Sequence, residues 1–250
     1  MFLVLFLFLP ITHALRFGVL GDAGKITPAQ IKNVKAMTAE TIDTFISLGD
    51  NFYPNGVNDE NVNYRFARVW GAAMKKNYTY PPLFIQGNHD HLGVPLAIRI
   101  LRKIKCPDLF YTVSYDNLLQ VIALDTTTLF DFDFWNKHRT APDKQWEFLL
   151  KTLREPKKTR WRMVILHHNI VSVTKHFQEK FAEKQKLIQL FDTYGVDVVL
   201  SGHSHVFEYC RNNSTNYFVI GAGAKLDYGV HGTNSMCKKH LFESGYGMFD

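Results

Sequence analysis

Short apolar runs separated by turn residues recur along the whole chain. Runs of strand type occupy Arg16 to Leu20, Thr44 to Leu48, Leu83 to Gln86, Leu119 to Leu124, Met163 to Leu166, Val196 to Leu200 and Tyr217 to Ile220, and their length and flanking Gly and polar residues favour buried strands. Between several of them the apolar spacing changes to three or four, which predicts helices. Thr27-Pro28-Ala29-Gln30 reads as a capping-box start with Pro at the first helical position, and Ile31, Val34 and Met37 follow on one broad face. A helix is therefore expected between the first two strands. Trp146, Leu149, Leu150 and Leu153 form a second stripe, and Leu187, Ile188, Phe191 and Tyr194 a third that stops at Gly195; each is expected to be a core face. Strands alternating with helices imply an α/β fold, a largely parallel or mixed sheet covered by helices, with ligands just beyond the carboxyl ends of the strands.

The candidate chemistry sits at those ends. Four runs stop at Gly followed by a residue able to hold a metal, Gly21-Asp22, Gly49-Asp50, Gly87-Asn88 and Gly202-His203, and the run from Met163 ends directly in His167. Glycine lets the chain turn sharply where a strand stops, so the next side chain points into a shared rim. Together Asp22, Asp50, Tyr53, Asn88, His167, His203 and His205 offer carboxylate, phenolate, amide and imidazole donors, too many for one metal and about right for two. In Asp50-Asn-Phe-Tyr53 the spacing suits a bridging carboxylate with a tyrosine to one side. Taken singly, Gly-Asp after a strand is more often a plain turn. Gly87-Asn-His-Asp90 and Gly202-His-Ser-His205 carry more weight, because adjacent polar groups after a buried strand are costly without partners. His168 is the counterexample: it adjoins His167, and on a continuing strand only one of the two can face the rim.

Composition narrows the class. With 250 residues, 46% of them hydrophobic, the chain can bury one sizeable core, so residues 15–250 are expected to form one domain. Charged residues at 21% exclude a disordered chain, and no repeat is visible. The net charge of +6 could suit an acidic partner, but Lys157, Lys158, Arg160 and Arg162 are not interleaved with aromatics, so a solvated surface is expected and nucleic acid is not a partner.

Met1 to Pro10 is an apolar run too short to span a bilayer, and compact residues follow to Ala14. Residues 1–14 therefore read as a signal peptide cleaved near Ala14, the competing reading being a buried first strand. No later segment is apolar and long enough to cross a membrane. Asn77, Asn212 and Asn213 head Asn-X-Ser/Thr tripeptides, which fits a secreted or lysosomal glycoprotein. Cys106, Cys210 and Cys237 are too few for a thiolate zinc site and allow one bridge, with Cys210 and Cys237 the candidate pair.

The ordered set Asp22-Ala-Gly24, Gly49-Asp50-Asn-Phe-Tyr53, Gly87-Asn88-His89-Asp90, Val164-Ile-Leu-His167 and Gly202-His203-Ser-His205 resembles the five motifs of the purple acid phosphatases, in the calcineurin-like metallophosphoesterase superfamily, and among them the small, animal-type, tartrate-resistant branch. The likeness runs from about Phe17 to about Gly223. It implies a four-layer sandwich of two mixed β-sheets flanked by helices. The closing stretch 244–250 looks like the start of a strand that the family continues, so C-terminal strands of the fold are expected to be missing.

The same resemblance implies ferric iron held by Asp22, Tyr53 and His205, a divalent ion (iron, zinc or manganese) held by Asn88, His167 and His203, and Asp50 bridging. Two such ions less three ligand anions leave about two positive charges, which would draw in a phosphate dianion. The expected reaction is hydrolysis of phosphate monoesters, either small esters or phosphoproteins, by metal-bound hydroxide. His89 is placed to protonate the leaving alcohol and steady the phosphate beside Asn88, and His176 matches a second such histidine, although Phe177-Gln178 departs from the family pattern. Asp227, after Gly221-Ala-Gly223, matches a position near the substrate. A histidine acid, with an ordinary pKa of about 6.5, predicts an acidic optimum. A monomer is expected. A phosphodiesterase of the same superfamily, a redox role for an iron pair and a non-enzymatic secreted scaffold are the alternatives. The stretch from Phe130 to Pro142 is expected to form a loop near the rim.

Overall fold

The structure is a computed structural model that describes residues 14–132, 142–226, 229 and 231–250. Nearly all of the expected signal peptide, most of the loop between Phe130 and Pro142, and Asp227 lie outside the described residues.

Two mixed sheets carry the fold. The smaller has strand order β11-β1-β2-β3, formed by β1 (Phe17–Leu20), β2 (Thr44–Ser47), β3 (Leu83–Phe84) and β11 (Gly247–Phe249). Strands β1, β2 and β3 are parallel, and β11 runs antiparallel against β1. The larger sheet has order β10-β8-β9-β7-β6-β5-β4. Its strands are β4 (Tyr111–Tyr115), β5 (Leu119–Ala123), β6 (Trp161–Ile165), β7 (Val198–Ser201), β8 (Phe207–Asn212), β9 (Thr215–Ile220) and β10 (Cys237–Leu241). Its parallel centre β5-β6-β7-β9 has antiparallel strands on both sides.

Alternation along the strands fixes the layers. On β6, Met163 and Ile165 join the core between the sheets, with Val19, Ile46 and Leu83 from the facing sheet, while Val164 faces the other way, with Leu149, Leu187 and Phe191. Those partners lie on α4 (Asp143–Arg154) and α5 (Phe181–Thr193). Likewise Phe45 and Phe84 turn away from the sheet interface onto Val34, Met37, Phe66 and Trp70, from α1 (Pro28–Ala39) and α2 (Val62–Trp70). The order is therefore helices, small sheet, large sheet, helices, the four-layer α/β sandwich of the metallophosphoesterase fold. Period-two strands buried on both faces explain why the apolar runs are nearly continuous.

Helix α1 shows where the simple pattern fails. Thr27 Oγ1 accepts the Gln30 backbone N–H at 3.0 Å as a cap should, but the Gln30 side chain donates to Val69 O instead of returning to the cap. Ile31 is exposed, and Gln30 and Asn33 are buried with Val34 and Met37. Asn33 donates to Gly223 O at 3.0 Å. The inner face is thus set by two amides that satisfy backbone carbonyls, one on α2 and one in the loop at Gly223, and rotated off the apolar stripe.

The third stripe lies on α5, which stops before Gly195, whose φ is +63. Cys210 and Cys237 are joined across β8 and β10, and Cys106 is a buried free thiol.

Candidate metal centre

The seven proposed donors come together at the carboxyl ends of strands from both sheets. Asp22 follows β1, Asp50 and Tyr53 follow β2, and Asn88 follows β3; from the larger sheet, His167 follows β6, and His203 and His205 follow β7. Asp22, Asp50 and His203 sit at left-handed φ values of +58, +52 and +67. Such conformations persist where the surroundings over-determine them, typically at functional sites. The restraint here is a lattice of backbone bonds between the loops: Asp22 N donates to Gly49 O, Gly24 N to Asp50 O and Gly202 N to His167 O.

Their donor atoms fall into two groups. In the first, Tyr53 Oη donates to Asp22 Oδ1 at 3.0 Å and lies 3.2 Å from His205 Nε2, and His205 Nε2 is 3.3 Å from Asp22 Oδ1. In the second, Asn88 Oδ1 is 3.0 Å from His167 Nε2 and 3.1 Å from His203 Nδ1. Asp50 lies between the groups: its Oδ1 is 3.4 Å from His167 Nε2, and ligand atoms of Asp50, of Asp22 from the first group and of His167 from the second all lie within 4.8 Å of one another. Ligands at about 2.1 Å from a metal stand about 3.0 to 3.4 Å from each other, so each group has the dimensions of one face of a coordination polyhedron.

Tautomers supply an independent test of fit. A carbonyl only accepts, so His167 Nδ1–H donates to Leu48 O at 2.8 Å. In the neutral ring this turns the bare Nε2 lone pair toward two oxygen acceptors, Asn88 Oδ1 and Asp50 Oδ1. A cation among these atoms removes the repulsion, and a backbone carbonyl behind the ring is the usual support of a metal-bound imidazole. The residues therefore fit a pair of metal ions.

Charge in the site points the same way. Burial would raise the Asp22 carboxyl, but the His205 hydrogen bond and the neighbouring imidazoles hold it below the usual range. Burial opposes charge on His167, yet Asp50 and Asp22 push its pKa up. Tyr53 is driven well above the ordinary phenol value by burial and then by the Asp22 and Asp50 anions. Burial and neighbouring positive charge push His203 and His168 well down. Buried carboxylates thus take up whatever positive charge is near.

Supporting groups that sequence reading gave no role lie immediately behind. Asp90 accepts from Asn51 N, Phe52 N, Gly87 N and Asn51 Nδ2, fixing the loops that carry Asp50 and Asn88. His91 Nε2 is 2.6 Å from Asp125 Oδ2, both fully buried. Asp125 follows β5 and caps α3 (Thr126–Leu129) through the N–H groups of Thr127 and Thr128. A strand-ending acid was the available signal there, the same one that marks Asp22. His168 is the packed histidine of its pair: Thr126 Oγ1 is 2.8 Å from its Nδ1, and its ring lies 4.5 Å from that of His203.

Two further histidines reach the rim. His89 Nδ1–H donates to Pro54 O at 2.6 Å, its ring lies 4.5 Å from that of Tyr53, and its Nε2 is 4.0 Å from Asp50 Oδ2. The His176 ring is 4.3 Å from the His203 ring, with Nδ1 3.1 Å from Glu179 Oε1.

Residues 15–207 match the calcineurin-like phosphoesterase family, and the chain belongs to it. Such a match over this fold and this rim defines an enzyme of the metallophosphoesterase class. Within the class, the chain is 30% identical over 247 residues to human tartrate-resistant acid phosphatase type 5, covering 86% of this chain and 75% of that protein. It is 27% identical over 208 residues to purple acid phosphatase 17 of Arabidopsis thaliana, covering 74% and 59%. The chain is accordingly a member of the purple and tartrate-resistant acid phosphatase family. Among solved structures it shares its fold with GAP50, the anchor in the inner membrane complex of Plasmodium, at a TM-score of 0.76 and 22% identity over 94% of this chain and 80% of that one. It also shares it with purple acid phosphatase PPD1 of yellow lupin, at 0.73 and 18% over 93% and 48%.

Proposed function

We propose that this chain hydrolyses phosphate monoesters at acidic pH using two metal ions, ferric iron held by Asp22, Tyr53 and His205 and a divalent ion held by Asn88, His167 and His203, with Asp50 shared. The observation that carries the reading is the division of the donor atoms into two groups linked by one carboxylate. Phenolate is a hard anion and suits a trivalent ion, whereas amide and imidazole suit a divalent one. When bound, such a pair supplies Lewis acidity toward a phosphate ester and an activated water.

The protein's own groups do the rest. Buried Asp22, Asp50, Asn88 and His167 keep bulk water from the cluster, which strengthens every charge interaction there. His89, with Nδ1–H tied to Pro54 O, turns Nε2 toward the rim, where it protonates the departing alcohol oxygen. His176, on the opposite side beside His203, gives the phosphate a second imidazole. The His89 step needs the protonated ring, so activity is expected to fall on the alkaline side.

We further propose that residues 1–14 direct secretion, and that the exposed Asn77 is the best placed glycosylation site, since Asn212 and Asn213 both donate their amide N–H groups to Asp192.

Elemental analysis of the purified chain together with its visible spectrum tests the proposal. Two metal atoms per chain, one of them iron, with a tyrosinate-to-iron absorption band and hydrolysis of mono- in preference to diesters are expected. One metal atom or fewer after reconstitution would refute it, and preference for diesters would move the chain to the phosphodiesterases.

A further inference from the structure

Glu179 lies outside the proposed donor set, in the turn between the Lys175–Gln178 segment and α5. Its carboxylate faces two histidines at once. One oxygen is 3.1 Å from His176 Nδ1, and the other is 4.0 Å from His203 Nε2. A carboxylate only accepts, so His176 donates through Nδ1–H and keeps Nε2 for whatever enters the rim.

The other contact concerns the back of a proposed ligand. His203 Nδ1 is in the Asn88 group, so its outer nitrogen, Nε2, carries the proton of the neutral ring. That nitrogen is buried without a hydrogen-bond partner. A metal-binding imidazole almost always donates its second N–H to a carboxylate, carbonyl or water, which fixes the ring and raises its basicity. Glu179 is about 1 Å short of that contact by the usual N–H···O length, and its side chain is 45% exposed, so it is free to rotate into it. The backbone beside it is anchored: the buried Lys184 donates to His176 O at 2.5 Å.

We propose that Glu179 is a positioning residue that joins the two sides of the site, orienting His176 toward substrate with one oxygen and receiving the outer N–H of His203 with the other. It couples occupancy of the divalent position to phosphate binding through a single carboxylate. The inference rests on the reading of Asn88, His167 and His203 as the divalent site.

The test compares wild type with Glu179→Ala, Glu179→Gln and Glu183→Ala, a neighbouring, half-buried acid in the first turn of α5. Each variant is first checked for fold by a thermal melt. Two quantities are read: zinc affinity at the second position of the iron-loaded protein, by competition with a chelating dye, and the inhibition constant of inorganic phosphate. Glu179→Ala is expected to weaken zinc about 10- to 100-fold and to raise the phosphate constant several-fold. Glu179→Gln should fall between, because an amide oxygen can accept from one histidine while its NH₂ group cannot accept from the other. Glu183→Ala should match wild type in both.

If either quantity is unchanged in Glu179→Ala while wild type holds two metals, the joining role is overturned and the dinuclear reading survives. If wild type itself fails to take up a second metal, the dinuclear reading falls instead. Should Glu179→Ala not fold, the Gln variant decides, and wild-type zinc affinity there overturns the inference.

Discussion

A methyl group on Gly87 would stand 2.2 Å from Asp50 Oδ1 and 2.3 Å from Asp50 N, closer than any real Cβ contact. The glycine is needed because Asp50, the carboxylate shared by both donor groups, occupies that space. Gly87→Ala is therefore expected to push Asp50 out of place, lowering the metal content per chain severalfold and destabilising the fold by about 1–3 kcal/mol. Gly195→Ala is the contrast. Nothing lies near its added carbon, but its φ is +63, so a cost of about 1 kcal/mol with full metal content is expected. Elemental analysis and urea unfolding measure both. This residue-scale logic also explains what was legible. Asp22, Asp50, Asn88 and His203 each follow a strand-ending glycine, so a one-dimensional pattern marks a three-dimensional rim. Glu179 follows no strand, and its neighbours His176 and His203 meet it only after α5 and β7 have packed.

Elements bring those residues into register, and one buried pair ties two of them together. His91, in the loop after β3, meets Asp125 at the start of α3, linking the small sheet to the large one behind the site. Burial opposes charge on His91, but Asp125 and more weakly Asp90 raise its pKa above the ordinary value. A histidine raised in the fold stabilises fully below its unfolded value of about 6.5, and that contribution fades as pH rises through the folded value. Asp125→Asn is expected to cost about 3–5 kcal/mol, as for breaking a buried pair from one side. The loss should be larger at about pH 5 than at about pH 9, by urea unfolding at the two values. Sequence pattern found the helix after β1 and the strands of both buried centres, because continuous apolar runs leave few alternatives. Among the elements it missed are α2, β4, β8 and β10. Helix α2 was nonetheless legible in the sequence: Val62, Phe66, Val69 and Trp70 recur at helical spacing on its buried face, with Arg65 and Arg68 off that face. Strand β8 turns Glu208 inward, where it accepts from Ser172 Oγ and Val173 N. Strand β10 is mostly exposed and is held by pairing with β8 and by the Cys210–Cys237 bridge, neither of which a hydrophobicity pattern records.

At the scale of the whole molecule, the proposed centre is a clamp between sheets. Three of its strand-end donors, Asp22, Asp50 and Asn88, belong to the four-stranded sheet, and His167, His203 and His205 to the seven-stranded one. The sheets otherwise meet through side chains such as Val19, Ile46, Met163 and Ile165, a face whose attraction is strong but not directional. Ions held from both sides would add a directional restraint at one end of that interface. They would also neutralise Asp22 and Asp50, which lie buried beside each other's loops. Anything bound by the native state alone stabilises it by RT ln(1 + [L]/Kd), about 2.7 kcal/mol for one ion at a hundredfold excess over Kd. For a chain of this size that corresponds to a rise in Tm of about 5–10 °C per ion. Stripping the metals with a chelator should lower Tm by at least that much, and amide exchange should accelerate at the carboxyl ends of β1, β2, β6 and β7 together while the far ends of the same strands stay protected. Acceleration confined to one sheet would mean that the donors do not share ions across the interface.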